Sequence, residues 1–373
     1  MEKDVGLLKK KQHLKTLNTS LFLGSGILAA LGQPALYPLA GALFACLGIA
    51  LHWKGLDGLS IRTARRVSFL WFFLVQLFQL SWLTAIEYQG VFILGVYVLL
   101  AAGMAWQFAF LTKILQNRSR VLSWLSIGYL SACWVGLEWM RLYVLCGFAF
   151  NFLGIALGCH LYSLQMASLC GVLGMSFWVV MTNVLALNML RARTKKRVLL
   201  WGVVALTPYL LGSGRLFLLE RPLSKETKKD HTVLLVQTGL SPAQKEGLPR
   251  RNHERIPPMQ QWENVICLLS KEKIAEADWI VLPEVTFPCG LYSLVYPKEQ
   301  VHRILHQYFG DSVCRYFSST EGEIVSNAYW LEILSSLTHA RVVIGLHSHE
   351  EGKHYNSIFL FQDGTCKSPR YDK

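Results

Sequence analysis

Residues 277–288 read ADWIVLPEVTFP. The apolar run Trp279-Ile280-Val281-Leu282 is β-branched and aromatic, and Pro283 closes it because proline has no N–H to give a sheet. That pattern predicts a short strand. Glu284 follows at once. In open α/β sheets ligands bind beyond the carboxyl ends of the strands, so a carboxylate there is carried by a rigid element and aimed into a crevice. Glu284 is therefore the candidate general base.

The surroundings extend the α/β reading. Upstream, HTVLLVQTG at 231–239 predicts another strand, and between 257 and 275 Trp262, Ile266, Leu269 and Ile274 recur at helical spacing. Downstream come helices over about 298–308 and 325–339 and strands at RVVIGLH (341–347) and YNSIFLFQDG (355–364). Asp363-Gly364 predicts a tight hairpin leading into SPRYDK. Residues 240–257, rich in Pro, Arg and Gly, read as a mobile loop without a core of its own. The whole of 220–373 forms one α/β region.

The first 219 residues are different. Of the 373 residues 52% are apolar and 16% charged, with a net charge of +13, against about 25% charged residues in ordinary soluble domains. Residues 1–219 hold 19 Lys and Arg against 5 Asp and Glu, and residues 220–373 hold 18 against 19. The basic residues form short clusters between long apolar runs, which predicts a polytopic membrane domain and excludes nucleic acid as the partner. Seven runs approach the length needed to cross a bilayer, near 17–31, 34–52, 67–85, 91–112, 121–147, 163–190 and 198–218.

Alternate loops differ in charge. Seventeen Lys and Arg fall on one side, in the clusters around Lys9-Lys10-Lys11, Arg65-Arg66, Lys113 to Arg120 and Arg191 to Arg197, and none in the loops at 32–33, 86–90 and 148–162. The positive-inside rule then puts the N-terminus in the cytoplasm and the 220–373 region on the periplasmic side of a bacterial inner membrane. Glu138 and Arg141, three apart in the fifth run, share a helix face and pair, easing the cost of charge within hydrocarbon. They are candidates for lipid or substrate contact. The nine cysteines include no CxxC or zinc-like spacing, so neither a metal nor another cofactor is expected.

The stretch ADWIVLPEVTFP, followed by YNSIFLFQDG and YDK, resembles the nitrilase or carbon–nitrogen hydrolase superfamily, which works with a Glu, a Lys and a Cys. A membrane domain ahead of it narrows the resemblance to the apolipoprotein N-acyltransferase family, as does ACWVGLEWMRLYVLCGFAFNFLGIALG at 132–158. The resemblance implies an αββα nitrilase-like sandwich, with Glu284 as general base and Lys373 as the cation that stabilises the oxyanion. It implies transfer of an acyl chain from a membrane phospholipid to the N-terminal amine of a diacylglyceryl-cysteine apolipoprotein, through a thioester.

The family's nucleophilic cysteine lies beyond the lysine. The expectation is thus an incomplete nitrilase-like domain, truncated before its thiol, with a separate polypeptide as one possible carrier of the missing C-terminal half. Neither Cys289 nor Cys366 suits the role by position, and 241–258 offers no tryptophan to match the one the family has in that loop. A membrane-tethered amidase and an inactive membrane protein are the alternatives.

Overall fold

The computed structural model describes residues 19–372 apart from 34–36, 119–120, 145–146, 221–229, 249–250, 273, 318–321 and 351. The chain divides into two compact units between residues 223 and 224. The N-terminal lysine cluster and Lys373 lie outside the described residues.

The first unit is helical: α1 (Thr19–Gly32), α2 (Pro38–Gly55, with a π turn at Phe44–Gly48), α3 (Ile61–Gln79), α4 (Phe92–Gln116), α5 (Trp124–Arg141), α6 (Ala167–Ala192) and α7 (Lys195–Glu220). Among the described residues three helices are long and apolar enough to cross a membrane, Phe92–Gln116, Ala167–Ala192 and Lys195–Leu219. Several helices depart in their bounds or regularity from the predicted apolar runs. α3 begins at Ile61, well before the predicted run, so it carries Arg62, Arg65 and Arg66 in its first turns, and it stops at Gln79. α5 ends at Arg141, with 18 residues. α6 is broken at Gly171, whose φ of 63° interrupts the helical backbone.

An aromatic cluster forms the centre of this unit: Phe72 stacks on Phe108 at 4.7 Å, His52 on Trp71 at 4.2 Å, and Trp134 meets Phe108 edge-on. Backbone polar groups cannot stay unpaired in such surroundings. The π turn of α2 is served by Asn183 of α6, whose amide donates to Ala45 O at 2.8 Å and Val179 O at 2.9 Å and accepts from Ala50 N at 3.1 Å. Asn183→Leu is expected to destabilise the chain by about 1–3 kcal/mol by leaving these groups unsatisfied. Thermal unfolding in detergent checks this, and an unchanged midpoint would show that the π turn is held by other contacts.

The stretch 148–162, predicted as a loop between apolar runs, carries a buried irregular segment. Leu153, Gly154, Ala156 and Leu157 are buried within a 3-10 stretch at Leu153–Cys159. A chain of side-chain amides satisfies its neighbourhood, from Gln33 to Asn151 O, Asn151 to Gln76, Gln76 to Gln79 and Gln79 to Ala29 O. Non-helical backbone is tolerated in a membrane-type bundle only when it is buried and bonded in this way.

The second unit is a five-stranded mixed sheet with the order β1-β2-β5-β6-β7, where β1 is Val233–Leu235, β2 Trp279–Val281, β5 Arg341–Glu350, β6 Lys353–Gln362 and β7 Thr365–Asp372. β1, β2 and β5 are parallel, and β5-β6-β7 form an antiparallel meander. A small ribbon pairs β3 (Tyr296–Pro297) with β4 (Ile324–Val325). Asp363 and Gly364 take φ of 50° and 74°, the turn that the Asp-Gly pair predicts. β7, an edge strand, shifts in register between Ile358 and Leu360 of β6.

Three helices cover one face of this sheet: α8 (Pro258–Ser270), α9 (Lys298–Phe309) and α10 (Asn327–Thr338). Trp262, Ile266, Val301, Leu305, Trp330 and Leu334 pack there against Ile280, Val342, Ile344 and Phe361. α8 ends at Ser270, so Ile274 falls in a separate 3-10 turn rather than on the predicted continuous helix. The segment predicted as a mobile loop is pinned at its described residues. Ser241 and Gln244 form a capping box, Ala243 is buried, and Gln261 of α8 donates to Lys245 O and Ile256 O at 2.9 and 2.8 Å.

Candidate active site

The parallel register places the end of β2 between β1 and β5, with Val281 opposite Leu235 and Val343. Leu282 N still donates to Val343 O at 2.8 Å, and Thr286 N donates to Gly345 O at 2.9 Å, so the chain between them bows out as a tight loop over β5. Glu284 stands on that loop, exposed, and its Oε1 accepts a hydrogen bond from the side-chain amide of Asn356 on β6. Val285 next to it has φ of 46°. A β-branched residue in the left-handed region carries about 1–3 kcal/mol of strain, which persists where the surroundings over-determine it.

Gly345 makes the loop possible. A Cβ there would lie 2.8 Å from Glu284 Cα and 3.1 Å from Pro283 O. From the other side Phe287 stacks on Trp262 at 4.0 Å, and Trp262 stacks on Trp330 at 5.0 Å. Asn327, fully buried at the start of α10, ties the assembly together. Its Oδ1 accepts from Trp262 Nε1 and Tyr296 OH, both at 2.8 Å, and its amide donates to Cys289 O and Gly290 O. The carboxylate thus rides on a loop locked by aromatic stacking below and backbone bonds above.

Glu284 borders a groove of about 330 Å³ walled by Val281, Leu282, Val343, Gly345, Asn356, Ile358 and Tyr371. The groove opens on the sheet face that the helices leave uncovered, where Leu235 is 77% and Tyr371 70% exposed. His347 is directly opposite Asn356 in the register and also meets Glu246, with Nε2 and Oε1 3.3 Å apart. Tyr371 pairs with Ile358 and Asp372 with Ser357, whose hydroxyl donates to Asp372 Oδ1. Described residues therefore end beside the Glu284 groove, and Lys373, the predicted cation, is the next residue beyond them.

Neither Cys289 nor Cys366 is an activated thiol. Burial pushes the Cys289 thiol above its ordinary range, only partly opposed by Arg255, and burial does the same to Cys366. A thiol held protonated is a poor nucleophile. Alkylation of Cys289 by iodoacetamide is accordingly expected to be slow at pH 7 and to climb only in the alkaline range. Peptide mapping of the alkylated chain reads this directly; rapid labelling at neutral pH would contradict it.

In the first unit Glu138 is fully buried and Arg141 nearly so, at 7% exposure. Glu138 Oε1 accepts from Trp134 Nε1 at 2.8 Å and from Leu153 N at 2.7 Å, and Arg141 Nη2 lies 3.8 Å from the same oxygen. The guanidinium sits 5.4 Å from the centre of the Phe152 ring, and its three nitrogens have no hydrogen-bond partner among the described residues. The pair thus anchors the buried 148–160 segment and leaves a desolvated cation with unused donors.

Sequence reasoning finds Glu284 through its position after a strand. Asn356, Gly345 and Asn327 escape it because each acts through a contact with residues distant in the chain.

Residues 25–185 match the family model described as the apolipoprotein N-acyltransferase N-terminal domain. An apolipoprotein N-acyltransferase of Chlamydia muridarum (strain MoPn / Nigg) is 29% identical over 354 residues, covering 93% of this chain and 62% of the relative. One from Chlamydia caviae is 28% identical over 94% of this chain and 64% of the relative, and one from Chlamydia trachomatis serovar D is 26% identical with coverage of 94% and 62%. The chain spans less than two thirds of the length of these relatives.

Proposed function

Since the chain belongs to the apolipoprotein N-acyltransferase family, we propose that it serves the transfer of an acyl chain from a membrane phospholipid to the N-terminal amine of a diacylglyceryl-cysteine apolipoprotein. The observation that carries this reading is Glu284, held by Asn356 on a strained loop at the edge of an apolar groove. In the proposed reaction Glu284 takes the proton of a cysteine thiol, and the thiolate attacks the ester carbonyl of the phospholipid. Lys373 steadies the tetrahedral oxyanion, and the proton passes to the departing lysophospholipid hydroxyl. The substrate amine then displaces the thiol from the thioester, leaving an amide.

The thiol in this proposal is neither Cys289 nor Cys366, and it is carried by the part of a nitrilase-like αββα sandwich that covers the open sheet face. An exposed apolar sheet face is the surface such a layer needs. The charge asymmetry of the loops supports seven spans, a cytoplasmic N-terminus and a periplasmic site in the inner membrane. Arg141, with Glu138 fixing its position, supplies donors to the phospholipid substrate.

The test uses proteoliposomes with acyl-labelled phospholipid and a diacylglyceryl-cysteinyl lipopeptide, assayed with the chain alone and together with the remaining third of a full-length relative. Label in the lipopeptide amide supports the proposal; label in free fatty acid alone favours an amidase-like hydrolysis, and no turnover in either mixture counts against an enzymatic role. Asn356→Leu is expected to slow transfer roughly 10- to 100-fold, the worth of one hydrogen bond to a charged group. An unchanged rate in that variant would remove Asn356 from the site.

A further inference from the structure

The first unit carries a second feature that the chemistry at Glu284 does not use. Near the start of α3 and the end of α4 lies a groove of about 450 Å³ lined by Arg65, Arg66, Phe69, Trp106, Ala109, Phe110 and Lys113. Three cations converge there without a carboxylate in the lining, and among the described residues none of the three makes an ion pair. Trp106, 61% exposed, stacks on Phe110 at 6.0 Å and forms the apolar wall.

We propose that this groove binds the head of an anionic phospholipid, with the phosphate held by Arg65, Arg66 and Lys113 and the glycerol and first methylenes lying against Trp106 and Phe110. The guanidinium fork matches phosphate oxygens two at a time, and Lys adds a point charge. A soluble anion has no use for an exposed aromatic wall, whereas a lipid anchored beside a helix of membrane-crossing length presents both parts at once. Three cations favour a head with net negative charge, because a choline or ethanolamine group would bring a fourth cation into the cluster.

The groove is at the end of α4 that leads, through Arg118, into the start of α5, while Glu138 and Arg141 are at the far end of α5. The bound lipid therefore belongs to the leaflet on the side of the basic loops. It holds α3 and α4 together there, independently of any acyl transfer at Glu284.

Native mass spectrometry of the full chain in detergent, titrated with phosphatidylglycerol and with phosphatidylcholine of the same acyl chains, tests the assignment. One phosphatidylglycerol should be retained in preference. The variant R65Q/R66Q/K113Q should bind it roughly a hundredfold more weakly, and raised salt should weaken the wild type. Arg62→Gln, outside the lining, should bind as wild type and controls for general charge. Trp106→Ala should weaken both lipids while keeping the preference. Equal binding of the two lipids, wild-type affinity in the triple variant, or complete displacement by millimolar inorganic phosphate would each overturn the proposal.

Discussion

Glu284→Gln is expected to lower acyl transfer by about 10²- to 10⁴-fold, the usual contribution of a positioned general base. Glutamine keeps the size of the side chain and an oxygen that can still accept from Asn356, so the loop geometry stays while the proton acceptor is lost. The measurement is the initial rate of label transfer to the lipopeptide in the completed proteoliposome system, with thermal unfolding as the control for folding. A rate within twofold of wild type would reduce Glu284 to a carboxylate that caps its loop. Exposure strengthens the expectation: Glu284 is not part of the buried core, so replacing its charge should cost little stability. A large loss of rate at constant midpoint would separate chemistry from folding.

How far the fold can be read in the sequence depends on the range of the interactions that decide it. The strands around Glu284 and the Asp363-Gly364 turn are local, set by β-branched runs and by residues that tolerate positive φ, and both are found at the predicted places. The site loop is only half local. β2 ends at Val281, just before Leu282 and Pro283, but the positive φ of Val285 belongs to a loop bonded back to β5 at Val343 and Gly345, and the value of Gly345 shows only when Glu284 Cα is seen against it. Asn356 looks like any polar residue on a strand until the β5–β6 register turns it towards the carboxylate.

The membrane-type unit teaches the same lesson through hydropathy. An apolar run measures how much a segment avoids water, without distinguishing a straight span from a segment buried in protein. The stretch 148–162 is read from the sequence as a loop between runs, yet Leu153, Gly154, Ala156 and Leu157 are buried in it, with Leu153 N bonded to Glu138 and Gly154 N to Ser176. Gly154 fits there because its Cβ would lie 2.4 Å from Val172 O on the broken helix α6. Pairings of this kind, up to 118 residues apart in the chain, leave no periodic trace.

The second large effect expected is on the foundation of the site rather than on the carboxylate. Trp262 is fully buried, sandwiched between Phe287 and Trp330, and its Nε1 donates to Asn327. Trp262→Ala is expected to cost about 3–5 kcal/mol from lost packing and the cavity left behind. The loss should be uneven. Phe287 belongs to the loop that bears Glu284, and Asn327 holds the same loop at Cys289 and Gly290, so removing the indole releases both restraints together. Amide exchange in residues 283–291 should therefore accelerate more than exchange in β5 and β6, and transfer should fall although Glu284 and Asn356 are chemically intact. Trp262→Phe preserves stacking while losing the N–H, and its cost should be near the 1–3 kcal/mol of leaving one polar group unsatisfied. Uniform loss of protection across the second unit in both variants would mean that Trp262 supports the core in general, and that the loop is held to the sheet by its bonds to Val343 and Gly345 alone.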